Sequence, residues 1–177
     1  MNRLALLFFA AALFAAPAAA TLKVGDRAPD FTAQAALGGK EFSFALADAL
    51  KKGPVVVYFY PQAFTHGCSL EAHAFAEAMD QFNGMGASVI GLSHDDIATL
   101  DKFSTQDCAN RFPVASDADH HVMTAYDAVS AKSPDTASRT SYLVAPDGTV
   151  LAAYSDPDYS KHVDTMLSAL KSWKAQH

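Results

Sequence analysis

The chain has few cysteines and lacks several motifs that would assign a function directly. Only two cysteines, Cys68 and Cys108, occur among its 177 residues. They do not form a Cys-x-x-Cys pair, which disfavours a dithiol oxidoreductase or a disulfide isomerase. The sequence has no glycine-rich phosphate-binding loop, and Asp147-Gly148 indicates a turn rather than a calcium-binding loop. These absences direct attention to the chemistry of a single thiol.

Basic residues are also scarce. The sequence has 13 Lys and Arg against 19 Asp and Glu, a formal net charge of −6. An acidic chain without a basic cluster is a poor candidate for binding nucleic acid or anionic membranes. No internal repeat and no low-complexity segment follows residue 20, and the length suits one domain with a substantial core.

Residues 1–20 have the pattern of an export signal. A basic start at 1–3 is followed by a run of Leu, Phe and Ala at 4–15 and by small residues that end in Ala-x-Ala. This order fits a signal peptide with its cleavage site, and the apolar run is too short to span a membrane. We therefore predict a cleaved signal peptide at 1–20, one domain at 21–177, no stable membrane anchor, and an exported, periplasmic location.

Cys68 lies where a strand pattern changes to a helical pattern. Residues 55–60 are continuously apolar, as in a central strand that is covered on both faces, and Pro61 follows. Apolar residues then recur at helical spacing over 72–79. Thr65 is expected to cap this helix, which places Cys68 in the first turn, where the helix dipole favours a thiolate. The alternative is that Cys68 is a small buried hydrophobic residue, as many free cysteines are.

The remaining pattern alternates between strands and helices. It predicts a strand at 88–93, a helix from Asp95 or Asp96 to about Asp107, a short helix at 119–126, a hairpin of 140–144 and 149–153, and a closing helix at 161–173. Such an order predicts an α/β sandwich with a mixed sheet. Periodicity alone does not choose among the three-layer folds of this kind.

Pro61, Thr65 and Cys68 spell Pro-x-x-x-Thr-x-x-Cys directly after the predicted strand. This motif resembles the active-site loop of peroxiredoxins, and the longer match over 58–72 resembles their bacterioferritin comigratory protein or peroxiredoxin Q branch. Further segments of the chain match the same branch in order: 25–31, 89–93, 112–117 and 139–148. The resemblance implies a thioredoxin-like fold, with a mixed central sheet flanked by helices, and a thiol-dependent peroxidase that needs no metal or organic cofactor.

The same resemblance implies a role for each site residue. Cys68 would be the nucleophile that attacks hydrogen peroxide or an organic hydroperoxide and becomes a sulfenic acid. Thr65 and Arg139 would bind and polarise the peroxide, Pro61 would keep water from the sulfur, and Glu71 would orient Arg139. From the residues alone, Arg139 is more simply a solvated charge at a strand end, and Glu71 a favourable acid in a first helical turn.

Cys108 is the other thiol of the chain. Many members of the branch carry a resolving cysteine five residues after the first, where this chain has His73. A second subtype has its resolving cysteine in the helix region that contains Cys108. The resemblance therefore implies that Cys108 resolves Cys68 as an intramolecular disulfide, which a thioredoxin-like or other thiol reductant would reopen, in a protein that is often monomeric.

Two alternatives to a catalytic disulfide stay open at this point. The cysteines could form a permanent structural disulfide, since export places them in an oxidising compartment. If Cys108 does not reach Cys68, the enzyme would have one active cysteine and use an outside thiol. A disulfide needs Cα atoms about 4.4–6.8 Å apart, which predicts local unwinding of both helical segments.

His66 and His73 flank Cys68 and suggest a different class of function. An exported thioredoxin-fold copper-binding module, or metallochaperone, would bind its metal with Cys68 and these histidines. The sequence has neither the paired cysteines nor the His/Cys spacing that is usual in closed metal sites. We therefore expect no metal ligands among these residues. Tight stoichiometric copper binding without peroxide turnover would favour the alternative.

Overall fold

The computed structural model describes residues 22–177, so the predicted signal peptide lies outside the described residues. The strands within that range are β1 Thr32–Leu37, β2 Lys40–Ala45, β3 Val55–Phe59, β4 Ser88–Ser93, β5 Val114–Ser116, β6 Val129–Ser130, β7 Ser133–Ala137, β8 Thr140–Val144 and β9 Val150–Ser155. The helices are α1 Leu46–Leu50, α2 His66–Gly84, α3 Ile97–Gln106, α4 His121–Ala125 and α5 His162–Lys174, with a 3₁₀ turn at Tyr159–Lys161.

Seven of the strands form one sheet in the order β2-β1-β5-β4-β3-β8-β9. The central pairs β3–β4 and β4–β5 are parallel, whereas β1–β2, β1–β5, β3–β8 and β8–β9 are antiparallel. Strands β6 and β7 form a separate antiparallel ribbon that leads into β8. The predicted α/β class and mixed sheet are therefore confirmed.

Strand β3 lies inside the sheet and contributes to two separate cores. Because successive side chains of a strand point to opposite faces, Val56 and Tyr58 join one buried cluster while Val55 and Val57 join another. The first cluster, the α2-side core, also includes side chains of α2, α3 and α5; the second, the α1-side core, includes side chains of α1 and α4. This double burial explains the unbroken apolar run of the sequence.

The two helices that follow the parallel strands determine where the cysteines lie. Helix α2 starts at the carboxyl end of β3, and α3 starts four residues after the carboxyl end of β4, with Asp96 Oδ1 accepting from Thr99 N at 2.7 Å as its cap. Since β4 and β5 are parallel, α3 runs back along the sheet before β5 begins. Cys108, just beyond α3, therefore lies at the opposite end of α3 from its Asp96 cap, and both cysteines are free thiols.

Several elements were not anticipated from the pattern. Strand β1 has the sequence Thr-Ala-Gln-Ala-Ala-Leu, in which only the first residue is of the β-branched or aromatic kind typical of strands, and β5 is only three residues long. The β6–β7 ribbon was likewise not predicted, because its two strands are short and mostly polar, and β7 contains a proline. The predicted helices and the hairpin of β8 and β9 are present with small shifts at their ends. Within residues 22–177, no helix is long and apolar enough to cross a membrane.

Candidate active site

Cys68 is the third residue of α2 and is almost completely buried, with 2% of its surface exposed. The residue before it, Gly67, lacks a side chain at a position where a Cβ atom would lie 3.2 Å from Arg139 Nη2. A glycine here therefore lets the guanidinium approach the first turn of α2 closely. The sequence pattern alone did not indicate a role for Gly67.

Arg139, just before β8, reaches Cys68 with its guanidinium group. Its Nη2 donates to Cys68 Sγ at 3.6 Å, its Nη1 donates to Glu71 Oε2 in an ion pair, and its Nε donates to the Pro157 carbonyl oxygen at 3.1 Å. The side chain of Arg139 is only 8% exposed. Three fixed contacts hold a permanent positive charge against the sulfur, and such a charge-assisted contact stabilises negative charge on the sulfur.

Glu71 lies one helical turn beyond Cys68 and is fully buried. Burial raises the pKa of its carboxyl group to about 7, while the charge and hydrogen bond of Arg139 act in the opposite direction. Its second oxygen, Oε1, has no hydrogen-bond partner among the described residues and lies 3.7 Å from Nδ1 of His162. The pairing of Glu71 with Arg139 was expected from the family resemblance, whereas the approach of His162, the first residue of α5, was not.

Thr65 occupies the N-cap position of α2 with an extended backbone, but its side chain makes no capping hydrogen bond. Thr65 therefore has the predicted N-cap position, but its side chain does not cap the helix. The hydroxyl group instead donates to the Gln62 carbonyl oxygen at 2.9 Å. Because the hydroxyl proton is used in this way, the lone pairs of Thr65 Oγ1 are left to accept a hydrogen bond from a ligand.

Asp95 holds the loop between β3 and α2 in place. Its Oδ2 accepts from Ala63 N at 2.7 Å and from the Ser93 hydroxyl at 2.7 Å. The next loop residue, Phe64, has a left-handed backbone with φ of 61° and packs edge-on against Phe103. From the sequence, Asp95 was expected only as a possible helix cap. Its position just after a parallel strand, beside the end of β3, is the feature that could have indicated a role at the site.

Pro61 lies beside Arg139. The two residues line a cleft of about 340 Å³, to which Lys132, Ser155 and Pro157 also contribute. Pro61 has no N–H group, so this wall offers no backbone donor to water. The cleft is the open space adjoining the guanidinium of Arg139.

Cys108 and Cys68 are both free thiols, and both belong to the α2-side core. Cys108 is fully buried, and burial raises the pKa of its thiol well above the ordinary value. His73, at the position where many relatives of the branch carry a cysteine, is exposed and lies 3.6 Å from Asp107. The structure therefore places Cys68, Arg139 and Glu71 in contact, and leaves Cys108 apart from them.

The histidines near Cys68 do not gather into a metal-binding cluster. His66 and His73 are exposed, and within residues 22–177 no three His, Cys, Asp or Glu side chains come together at a distance suited to a metal ion. The copper-binding alternative thus finds no ligand set in this part of the chain.

Comparison with known proteins gives a consistent result. The model of the AhpC/TSA family matches residues 24–153. Peroxiredoxin Bcp of Escherichia coli (strain K12) is 34% identical over 155 residues, which cover 85% of this chain and 96% of the relative. The crystal structure of peroxidoxin BcpB from Mycobacterium tuberculosis matches with a TM-score of 0.77 at 28% identity, over 85% of this chain and 97% of that one.

A second structural match is peroxiredoxin Q of Xanthomonas campestris, with a TM-score of 0.70 at 28% identity, over 80% of this chain and 90% of that one. These matches confirm the thioredoxin-like fold expected from the sequence. The match to the family model extends from before the first strand into β9 and includes Cys68, Glu71 and Arg139. The chain therefore belongs to the AhpC/TSA family and is a peroxiredoxin, an oxidoreductase that reduces peroxides with the help of thiols.

Proposed function

We propose that Cys68 is the peroxidatic cysteine and that Cys108 resolves its oxidised form. The contact between Arg139 Nη2 and Cys68 Sγ carries this proposal, because it places a permanent charge and a donor on the one thiol in a first helical turn. Hydrogen peroxide and organic hydroperoxides are the substrates. The preference between them is a property of the cleft beside Arg139.

The first step breaks the O–O bond of the peroxide. The thiolate of Cys68 forms an S–O bond with the terminal oxygen, and the other oxygen leaves as hydroxide or alkoxide, which takes a proton from solvent. The donors of Arg139 meet the negative charge that develops on the oxygens. Thr65 Oγ1, which donates to the Gln62 carbonyl, accepts from the peroxide O–H and so orients the substrate.

The second step forms a disulfide. The sulfur of Cys108 attacks the sulfenic acid of Cys68, an S–S bond forms, and water leaves. Cys108 is buried at the far end of α3, so the end of α3 and the first turn of α2 must open to bring the sulfurs together. An external thiol reductant, of the thioredoxin-like kind, then reduces the disulfide to two thiols.

One equivalent of hydrogen peroxide added to the reduced protein tests the two roles together. We expect two thiols to be lost and the intact mass to fall by about two hydrogens, because the oxygen taken up by Cys68 leaves as water. Thiol titration and intact-mass spectrometry measure both quantities. In Cys108→Ser, we expect one thiol to be lost and the mass to rise by one oxygen, or by two after further oxidation.

The possible results separate the parts of the proposal. Sulfenic acid in both proteins would remove Cys108 as the resolving cysteine and leave Cys68 as the peroxidatic one. No reaction of either protein with peroxide would contradict the assignment of Cys68. A disulfide that forms in air and resists mild reductants would indicate a structural bridge instead.

The backbone after α3 makes a separate prediction about the opening step. Ala109 and Asn110 have left-handed backbones, with φ of 49° and 59°, and a non-glycine residue in this conformation costs about 1 kcal/mol. Ala109→Gly removes that strain and stabilises the closed end of α3. We therefore expect disulfide formation to slow by about fivefold, while the first oxidation step keeps its rate.

Ala98→Gly is the matched control for this prediction. Ala98 is exposed in the first turns of the same helix, where glycine lowers helix stability by about 1 kcal/mol. Disulfide formation should then keep its rate or accelerate. Single-turnover measurements of thiol loss give the rate of sulfenic acid formation and then the rate of disulfide formation. Equal slowing of disulfide formation in the two variants would contradict the role of strain at Ala109.

Export and assembly are separate proposals. We infer from the pattern of residues 1–20 that the chain is exported to the periplasm without a membrane anchor, and from its resemblance to the peroxiredoxin Q branch that it acts as a monomer. The N-terminal sequence of the protein recovered from the periplasm, and its mass in solution, would test these two points.

A further inference from the structure

His162 is fully buried and lies behind the residues of the candidate active site. Its Nδ1 is 2.8 Å from Ser141 Oγ, and its Nε2 is 3.0 Å from the carbonyl oxygen of Asp156. A carbonyl oxygen only accepts hydrogen bonds, so Nε2 carries the ring proton. In the neutral ring, Nδ1 is therefore an acceptor, and the Ser141 hydroxyl donates to it.

The unpartnered oxygen of Glu71 faces this same nitrogen. Glu71 Oε1 lies 3.7 Å from His162 Nδ1, and both side chains have no exposed surface. Neither atom offers a proton to the other while Glu71 is ionised and His162 is neutral. Nδ1 has the Ser141 hydroxyl as its donor, but Oε1 has none, and a buried acceptor without a donor is unfavourable. One added proton placed between Oε1 and Nδ1 would satisfy Oε1, and the Ser141 hydroxyl can rotate to accept instead of donate.

Burial acts against the charged form of both groups. Burial lowers the pKa of His162, and burial raises the pKa of Glu71 to about 7. The other charged or titratable groups that face His162 are Arg139, which also disfavours its charged form, Tyr154, Asp156 and Asp158. A proton taken up near neutral pH therefore belongs to the pair rather than to either residue.

Building on the proposed function, we propose that His162 is a positioning residue that shares one proton with Glu71 Oε1 and so keeps Glu71 Oε2 paired with Arg139 as the pH falls. The proton comes from solvent, and no covalent bond changes. When Nδ1 takes the proton, Glu71 stays an anion and Arg139 stays on Cys68. Without His162, the proton neutralises Glu71 and weakens the ion pair that holds the guanidinium of Arg139 in place.

The test is a double-mutant cycle read against pH. The second-order rate constant for oxidation of reduced protein by hydrogen peroxide is measured from about pH 5.5 to 8.5 in wild type, His162→Gln, Glu71→Gln and the double variant. Glutamine keeps a donor near the Asp156 carbonyl but removes Nδ1. Ratios to the parent protein cancel the titration of the reacting thiol itself.

We expect the ratio of His162→Gln to wild type to fall about tenfold between pH 8 and pH 6, with the slope of one proton. The ratio of the double variant to Glu71→Gln should be independent of pH, because the carboxyl group is gone. His121→Gln, a change at an exposed histidine of α4, should leave the profile unchanged. A ratio that is flat, or an equal loss in both backgrounds, would show that His162 only supports the fold and would overturn the proposal.

A second readout does not depend on peroxidase activity or on a folded His162 variant. The ¹⁵N shifts of the His162 ring in the reduced wild-type protein should show the Nε2–H form and a change at Nδ1 that follows the titration of Glu71. Glu71→Gln should alter that change. A change that is the same in both proteins would overturn the proton-sharing proposal even if the protein is active, whereas failure of wild type to react with peroxide would count against the proposed function alone.

Discussion

Cys68→Ser is expected to reduce the rate of peroxide consumption by roughly 10⁴-fold or more, to the background of the solution. The hydroxyl group of serine is a far weaker nucleophile than a thiolate, although it preserves the size of the side chain in contact with Arg139. The remaining thiol offers no substitute, because Cys108 is buried and burial raises the pKa of that thiol. Consumption of hydrogen peroxide under pseudo-first-order conditions measures the effect.

Cys108→Ser is the control for this change, since it removes the other thiol and leaves the contact of Cys68 with Arg139 in place. Its first equivalent of peroxide should be consumed at the wild-type rate, and without turnover the consumption should stop once Cys68 is fully oxidised. Near-ultraviolet circular dichroism would show that both variants keep their packing. A Cys68→Ser protein that still reacts with peroxide at a measurable second-order rate would refute the assignment of the nucleophile.

Arg139→Gln should reduce the rate of Cys68 oxidation by about 10²–10³-fold, the usual effect of removing a donor to developing negative charge. The same change leaves Glu71 buried without its cationic partner, and breaking a buried pair in this way costs about 3–5 kcal/mol of stability. Rates of the first oxidation step and denaturant unfolding of the reduced protein measure the two effects.

The stability loss in Arg139→Gln should depend on pH with a defined sign. Burial already holds the pKa of Glu71 at about 7, above its ordinary value, and Arg139 acts to lower it. The folded state of the variant therefore binds a proton more tightly than the unfolded state, and its stability should fall as the pH rises from about 5 to 8. A loss that grows in acid instead would contradict the burial of an ionisable Glu71.

Arg111→Gln is the matched control, because Arg111 also pairs with a carboxylate, that of Asp80, but on the surface. The side chains of this pair are 41% and 87% exposed. Exposed pairs contribute less than about 1 kcal/mol, so both stability and peroxide reactivity should stay close to wild type. Similar losses in the two variants would mean that the burial of the Arg139–Glu71 pair has no special effect.

Local pattern was enough to predict the elements that carry the nucleophile. The apolar run at 55–60 predicted a strand covered on both faces, and the stripe over 72–79 predicted the helix that starts beside Cys68. Asp95 or Asp96 was predicted to cap the next helix, and Asp96 is the residue that does so. These features depend on neighbouring residues, so the sequence displays them directly.

The support behind the site depends on contacts between distant parts of the chain. His162 and Glu71 are 91 positions apart, and nothing near His162 in the sequence distinguishes it from any histidine that begins a helix. Gly67 is important because Arg139 approaches it in space. Strand β5 could not be predicted for a different reason, because three residues are too few to show the alternating pattern of a strand.

The division of β3 between two cores has a consequence for repeated turnover. Opening the end of α3 removes contacts from the α2-side core, to which Phe103 and Cys108 belong. The α1-side core lies across the sheet and shares neither residue. Sub-global opening can therefore remain confined to one layer while the opposite layer preserves the strand order. A catalyst built in this way can go through many cycles of oxidation and reduction without exposing its whole interior to aggregation.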